Sequence, residues 1–281
     1  MSQVGWLDSE GTIVPFEEAL AIAAEHGSFE DMPYEVLLGM HQNLTKERPD
    51  SISVTQLLGC PRKVYLEGTT DYAVPPADNY PAFRGMIVHG VLEATAEGAE
   101  TETRVEREYR GVTISGQPDN LRVVGVNNRK LLRDWKSVNK LPMYDNAYNH
   151  HQEQVNLYRW LLGLDWRLTD LELVYLAMDG VKVIPLKRGG TNRYGRAIPM
   201  QVWTDEEVEA FLDKRLMVLA AQRKHESPVA YHNVSVDDLW NCAFCPVQAR
   251  CYELAADEAK AAWSVGEEVI RIPPRKRAKK R

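Results

Sequence analysis

The sequence predicts an α/β fold, a central mixed sheet flanked by helices. Three observations predict it. Strand-like segments cluster between residues 103 and 138, separated by turn residues. A long amphipathic helix follows them at 146–164. More strand pattern and another helix come after that, and this helix, strands, helix, strands order indicates a sheet covered by helices.

Taken in order, PFEEALAIAAEHG has helical spacing and ends at Gly27, and a second short helix is expected over Met32–Gln42. Residues 1–50 therefore read as a helical extension without chemistry of its own. ISVTQLLGCPRKVYLEG looks like a capped helix start leading into Cys60. Phe83–Gly98 forms a helix with His89 in its middle. Strands are expected at Thr103–Arg110, at Gly111–Gly125 with a turn near Pro118, and at Lys130–Val138, with Asn127-Asn128 as a turn between the last two. On the helix from Asn146 to Leu164, Val155, Tyr158, Leu161 and Leu162 lie on or beside one face. LELVYLAMDG and VKVIPLK suggest a hairpin through Asp179-Gly180. A helix capped by Thr204 runs from Asp205 to Arg223, and a shorter one ends near Trp263.

The composition is ordinary for a globular chain: 44% hydrophobic and 26% charged residues. No apolar run reaches the roughly 20 residues of a membrane helix, and the first residues lack a secretory pattern. The expectation is an intracellular protein with no membrane contact. The net charge of −6 is unevenly spread. Arg271–Arg281 holds seven basic side chains and no acid. Removing those seven from the 34 basic residues leaves 27 against 40 acidic ones, a net of −13. Residues 263–281 read as a basic, disordered tail, either one that would raise non-specific nucleic-acid affinity or an ordinary solvated terminus. An acidic body confines any DNA track to a local patch.

The chemistry-bearing segments are Gly116-Gln117-Pro118-Asp119 and Asp134-Trp135-Lys136. Residues two apart in a strand share a side, so Asp134 and Lys136 face one way. Trp135 points into packing and leaves its backbone carbonyl near the same site. Asp119, on the neighbouring strand, can join them. Two carboxylates and a carbonyl suit a hard divalent cation, and a nearby lysine can position or deprotonate water. A lone Asp-x-Lys would read as a surface ion pair; Asp119 fifteen residues upstream sets this one apart.

On these residues the chain resembles the PD-(D/E)XK nuclease superfamily, with Asp119 as first acid, Asp134 as second and Lys136 as the lysine. Gln154 and Tyr158, i and i+4 on the following helix, resemble the Gln-x-x-x-Tyr motif of RecB-type nucleases, which implies DNA contact beside the active site. His89 matches that family's upstream metal-ligating histidine. An imidazole among oxygen ligands moves metal preference from Mg²⁺ toward Mn²⁺.

Four cysteines complete the pattern. Cys242, Cys245 and Cys251 cluster 182 residues after Cys60. Four thiolates suit a [4Fe–4S] cluster or Zn²⁺. The spacing resembles the iron–sulfur staple of AddB-type and CRISPR-associated RecB-like nucleases, where one cysteine before the core and three after it hold a [4Fe–4S] cluster. Such a clasp closes a long loop and removes unfolded-state entropy.

The resemblance spans residues 51–262 and implies a restriction-endonuclease-like core with an iron–sulfur subdomain built from both chain ends, Cys60 and residues 240–262. It departs at Pro118, which can place that segment at an edge or bulge. Arg62, Lys63, Tyr65 and Arg84 are candidate phosphate contacts, equally readable as solvated charges or, for Tyr65, as a packing ring. His150 and His151 match no ligand position. The implied function is a Mn²⁺- or Mg²⁺-dependent exonuclease on single-stranded DNA, commonly 5′ to 3′, in recombination, repair, replication or spacer acquisition. No helicase motif appears, so unwinding would need a helicase or recombination partner. The alternatives are a non-catalytic DNA-binding or assembly factor and a structure-specific endonuclease using the same site.

Overall fold

The computed structural model describes residues 3–45, 51–96, 100–101, 103–125, 127–139, 141–142, 147–178, 194–230, 234, 242 and 244–264. The chain opens with strands β1 (Gln3–Leu7) and β2 (Ile13–Pro15) and helix α1 (Phe16–His26). The N-terminal segment is therefore not wholly helical. Five residues of β1 are too few to show a period, yet Trp6 is fully buried and meets Phe16 edge-on at 4.7 Å. Helix α1 stops at Gly27, whose φ of 86° is left-handed and whose N–H caps the Ala23 carbonyl. Next come β3 (Ser28–Phe29), β4 (Met32–Pro33), α2 (Tyr34–Leu44), β5 (Ile52–Ser53) and α3 (Val54–Leu58). Ser53 and Gln56 cap α3 reciprocally: the Gln56 N–H donates to Ser53 Oγ, and the Ser53 N–H to Gln56 Oε1. After Cys60 follow α4 (Pro61–Thr69), β6 (Tyr72–Val74) and α5 (Pro76–Ala94), which carries His89.

The second half contains β7 (Glu100–Thr101), β8 (Val105–Tyr109), β9 (Val112–Gly116), β10 (Asn120–Val124), β11 (Arg129–Val138), α6 (Asn149–Trp166), β12 (Asp170–Ala177), β13 (Gly195–Met200), α7 (Asp205–His225) and α8 (Gln248–Ser264). Thr204 and Glu207 cap α7 as its sequence suggests.

The chain falls into two compact units. The first comprises Met1–Tyr34, Gly59–Asp78 and Leu216–Arg281. Its sheet runs β2-β1-β6, with α1 packed on β1 and α4 packed on α8.

The second unit comprises Glu35–Leu58 and Asn79–Arg215. Its main sheet has the order β13-β12-β11-β10-β7 and is mixed, since β11 and β12 are parallel and the other pairs antiparallel. A parallel pair needs a crossover, and α6 supplies it, packing on both strands. A separate sheet, β5-β9-β8, belongs to the same unit. The expected single strand 111–125 is thus two strands in two sheets. Pro118 sits in the link between them, where its missing N–H costs no ladder bond. The expected returning strand at 181–187 and its turn at Asp179-Gly180 lie outside the described residues, as does the tail from 265 on. The antiparallel partner of β12 is β13, for which RAIPM gives no alternating signal. Its Pro199 is tolerated because β13 is an edge strand. No helix among the described residues is long and apolar enough to cross a membrane.

Candidate active site

Strand β11 places Asp134 and Lys136 on one side of the second unit's main sheet. Lys136 Nζ lies 2.6 Å from Asp134 Oδ2 and donates to Gln154 Oε1 at 2.9 Å. Gln154 Nε2 in turn donates to the Tyr158 hydroxyl at 2.8 Å. These two bonds fix the orientation of the Gln154 amide. Asp119 stands just before β10, and its Oδ2 accepts the Trp135 backbone N–H at 2.7 Å. Its Oδ1 lies 3.4 Å from His89 Nδ1 on α5, and the Trp135 indole is buried with the His89 ring edge-on to it.

Asp134 is 1% exposed, and its Oδ1 has no hydrogen-bond partner among the described residues. Burial holds its carboxyl well above the usual carboxylate range, against the opposing pull of the Lys136 ammonium. For His89, burial lowers the proton affinity, but the adjacent Asp119 carboxylate more than offsets this and leaves the imidazole raised. Burial also drives the Tyr158 phenol far up, so it remains a neutral hydroxyl.

Among the described residues no three His, Cys, Asp or Glu side chains converge into a ready metal site. The donor chemistry nevertheless fits a hard divalent cation: two buried carboxylates, one with an orphaned oxygen, and an imidazole beside them.

A family model described as the PD-(D/E)XK nuclease superfamily matches residues 95–252. The chain belongs to that superfamily. The matched stretch contains Asp119, Asp134, Lys136, Gln154 and Tyr158; His89 and Cys60 fall before it. Nucleases of this superfamily use divalent metals, so the family and the donor set agree. A solved structure described as the crystal structure of SSO0001 matches 77% of this chain and 93% of its own length. It superposes with a TM-score of 0.52 at 20% identity, a likeness of fold alone. No curated protein matches the chain.

The four cysteines all belong to the first unit, and none forms a disulfide. Cys60, 8% exposed, is the N-cap residue of α4, and Cys251 lies on α8. Burial pushes the Cys245 thiol up to about 12, and Cys251 contributes in the same direction. Burial raises the Tyr252 phenol too, and Cys242, Cys251 and Cys245 add to that rise. Four thiols in one unit fit a thiophilic metal group by donor type, without being gathered around a point.

The proposed phosphate contacts divide. Arg84 donates to Asn139 Oδ1 at 2.8 Å, just past the end of β11, and its Nε is buried without a partner among the described residues. Lys63 is half-buried in the first unit, 3.7 Å from Glu67. Arg62 requires a correction. Its side chain is fully buried, and its guanidinium donates to Cys251 Sγ, the Cys251 and Val229 carbonyls and Glu258. A cation so enclosed offers phosphate nothing.

Sequence reasoning missed three residues that hold the site. Gly116 lies where any Cβ would come within 2.7 Å of the Tyr158 ring. Asn156 is fully buried, donating to the Gln152 and Gln201 carbonyls and accepting the Trp203 N–H, which ties α6 to the chain after β13. Tyr175, paired in register with Lys136, accepts the Tyr148 N–H and contacts His151 Nδ1 at 2.9 Å. The Gly-Gln-Pro-Asp string carried a signal for Gly116; an aromatic in an alternating strand and an asparagine on a helix carry none.

Two predictions follow from this geometry. Gly116→Ala should push the Tyr158 ring away, loosen Gln154 from Lys136 and cost about 1–3 kcal/mol of stability. A melting temperature and cleavage rate equal to the parent's would refute the close approach. The second concerns acid. Burial, then Lys136 and His150, push the His151 imidazole down to about 2, against about 6.5 in an unfolded chain. The unfolded state therefore takes up the proton first. Stability from the neutral ring is complete above pH 6.5 and lost as pH falls below it. Melting curves from pH 7.5 to 5 should fall less steeply for His151→Gln than for the parent; parallel curves would disprove this.

Proposed function

We propose that this nuclease is a divalent-metal-dependent deoxyribonuclease that degrades single-stranded DNA from an end, 5′ to 3′, within the cell. The observation that carries the reading is the unbroken chain from Asp134 through Lys136 and Gln154 to Tyr158, with Asp119 and His89 alongside. The nuclease occupies residues 51–262, with residues 1–50 as an extension and 263–281 as a basic tail.

In this reading Asp119, Asp134, the Trp135 carbonyl and His89 hold one or two Mn²⁺ or Mg²⁺ ions. A bound divalent cation supplies polarisation of the phosphodiester and neutralises charge that develops on it. Lys136 orients the attacking water, and its ammonium is aimed by Gln154, which Tyr158 holds in turn. Arg84 and Lys63 are the remaining phosphate contacts. The pathway is recombination, repair, replication or spacer acquisition, with strand separation supplied by a helicase or recombination partner.

Cys60, Cys242, Cys245 and Cys251 hold a [4Fe–4S] cluster that clasps the flanks of the core; structural zinc is the competing occupant of the same thiols. The cluster takes no part in hydrolysis.

The test of activity is cleavage of end-labelled linear and circular single strands with Mn²⁺. Linear strands should be degraded and circles spared, and cleavage of circles would identify an endonuclease instead. Asp119→Ala, Asp134→Ala and Lys136→Ala should each lower the rate at least about a hundredfold with unchanged circular dichroism. Mn²⁺ should serve at least as well as Mg²⁺, and Ca²⁺ not at all. Full activity in any one variant, or cleavage in EDTA, would overturn the site.

The cluster has its own test. Anaerobically purified protein should carry about four irons per chain. Cys60→Ala should lose iron as completely as Cys245→Ala. One zinc and no iron would refute the cluster and leave the nuclease reading intact.

A further inference from the structure

Beside Lys136 the second unit carries an aromatic cluster that neither the acid–lysine set nor the Gln154–Tyr158 pair uses. Tyr148 is 43% exposed, a large area for an aromatic side chain held from several sides. Its ring stacks on His150, with centroids 5.8 Å apart and planes 23° from parallel. His151 meets it edge-on at 5.5 Å, and Tyr175 at 5.9 Å. Its backbone N–H donates to the Tyr175 hydroxyl at 3.2 Å. Tyr175 is fully buried on β12 and pairs in register with Lys136 on β11. An exposed ring is thereby tied to the strand position next to the lysine.

The cluster is also electrically neutral. Burial, then the Lys136 charge, lower both His150 and His151, so both rings stay uncharged at neutral pH. Burial pushes the Tyr175 phenol up to about 12, so its hydroxyl keeps its proton and can donate to His151 Nδ1. A rigid, neutral aromatic face suits a flat, neutral π-system and gives a phosphate no purchase.

We propose that Tyr148, stacked on His150, is the platform for an unpaired nucleobase of the strand lying in the active site. This rests on the nuclease reading and deepens it, because it names what selects a single strand. A base inside a duplex is already stacked on both faces and has none to offer. An unpaired base has, and stacking on an aromatic ring is sequence-tolerant because every base presents a π-face. The ring is already fixed by its neighbours, so little side-chain entropy is lost on binding.

The test uses full-length protein carrying Asp134→Asn to prevent cleavage, titrated with single strands bearing 2-aminopurine at successive positions. One position should be quenched on binding, and Tyr148→Ala should abolish that quenching while Tyr148→Phe retains it. Tyr148→Ala should weaken single-strand binding about tenfold and leave duplex binding unchanged. An abasic site at the quenched position should weaken binding to the parent similarly, and should add nothing to Tyr148→Ala. This arm leaves the protein untouched, so it stands even if the tyrosine variants melt early. Unchanged affinity in both the Tyr148→Ala and the abasic arms would overturn the platform while the nuclease reading survives. Equal weakening for duplex and single strand would overturn it too. Wild-type protein that cleaves no DNA, together with an Asp134→Asn parent that binds none, overturns both readings together.

Discussion

A carboxylate buried to 1% exposure can stay charged only with a cation at hand, and the site is arranged around that requirement at Asp134. Lys136 meets it because residues two apart on β11 share a side. The lysine is restrained in turn by Gln154, and Gln154 by Tyr158, so its position depends on where α6 lies. Helix α6 can lie that close only because Gly116 presents no side chain to the Tyr158 ring. The same helix is the crossover that the parallel pair β11 and β12 demands. Topology and site chemistry thus act through one element, and shifting the helix disturbs both.

This explains which parts could be read in the sequence. Asp134, Lys136, Gln154 and Tyr158 sit on long periodic elements, where spacing alone puts side chains on a common face. Asp119 was legible as chemistry but not as geometry. Its carboxylate joins β11 by accepting the Trp135 N–H from a link between two sheets, and no periodicity describes a link. Strand β1 was missed because five residues cannot show a period, and β13 because a strand containing Pro199 looks unlike one until its edge position is known. Tyr175 escaped for a different reason. Its place in β12 follows the alternating pattern, and only the hydroxyl's two partners give it a further role.

Arg62 and Lys63 show the limit most sharply. Adjacent on α4, they are the same in charge and opposite in fate: one fully buried, the other half in solvent. Sequence treats the pair as one basic patch, whereas a helix turns about 100° between neighbours and separates them. The burial of Arg62 is tolerable because Glu258, two carbonyls and Cys251 Sγ all accept from it. Arg62 therefore belongs to the packing around Cys251 and not to a basic surface.

An acidic chain that handles a polyanion faces a problem of its own. Before Arg271 the sequence carries a net of −13, so its long-range field opposes DNA out to a Debye length of roughly 8–10 Å. Affinity must then come from contacts made inside that distance. The proposed phosphate contacts are few, and Arg84 sits beside the Asn139 amide and Lys63 beside the Glu67 carboxylate, which compete for them. Base stacking needs no opposite charge, and it is unaffected by the sign of the surrounding surface. On the proposed reading, single-strand preference is what an acidic nuclease gains from this. The energy it can draw on is carried by the bases, and a duplex, presenting mainly phosphates, meets the repulsion without the compensation.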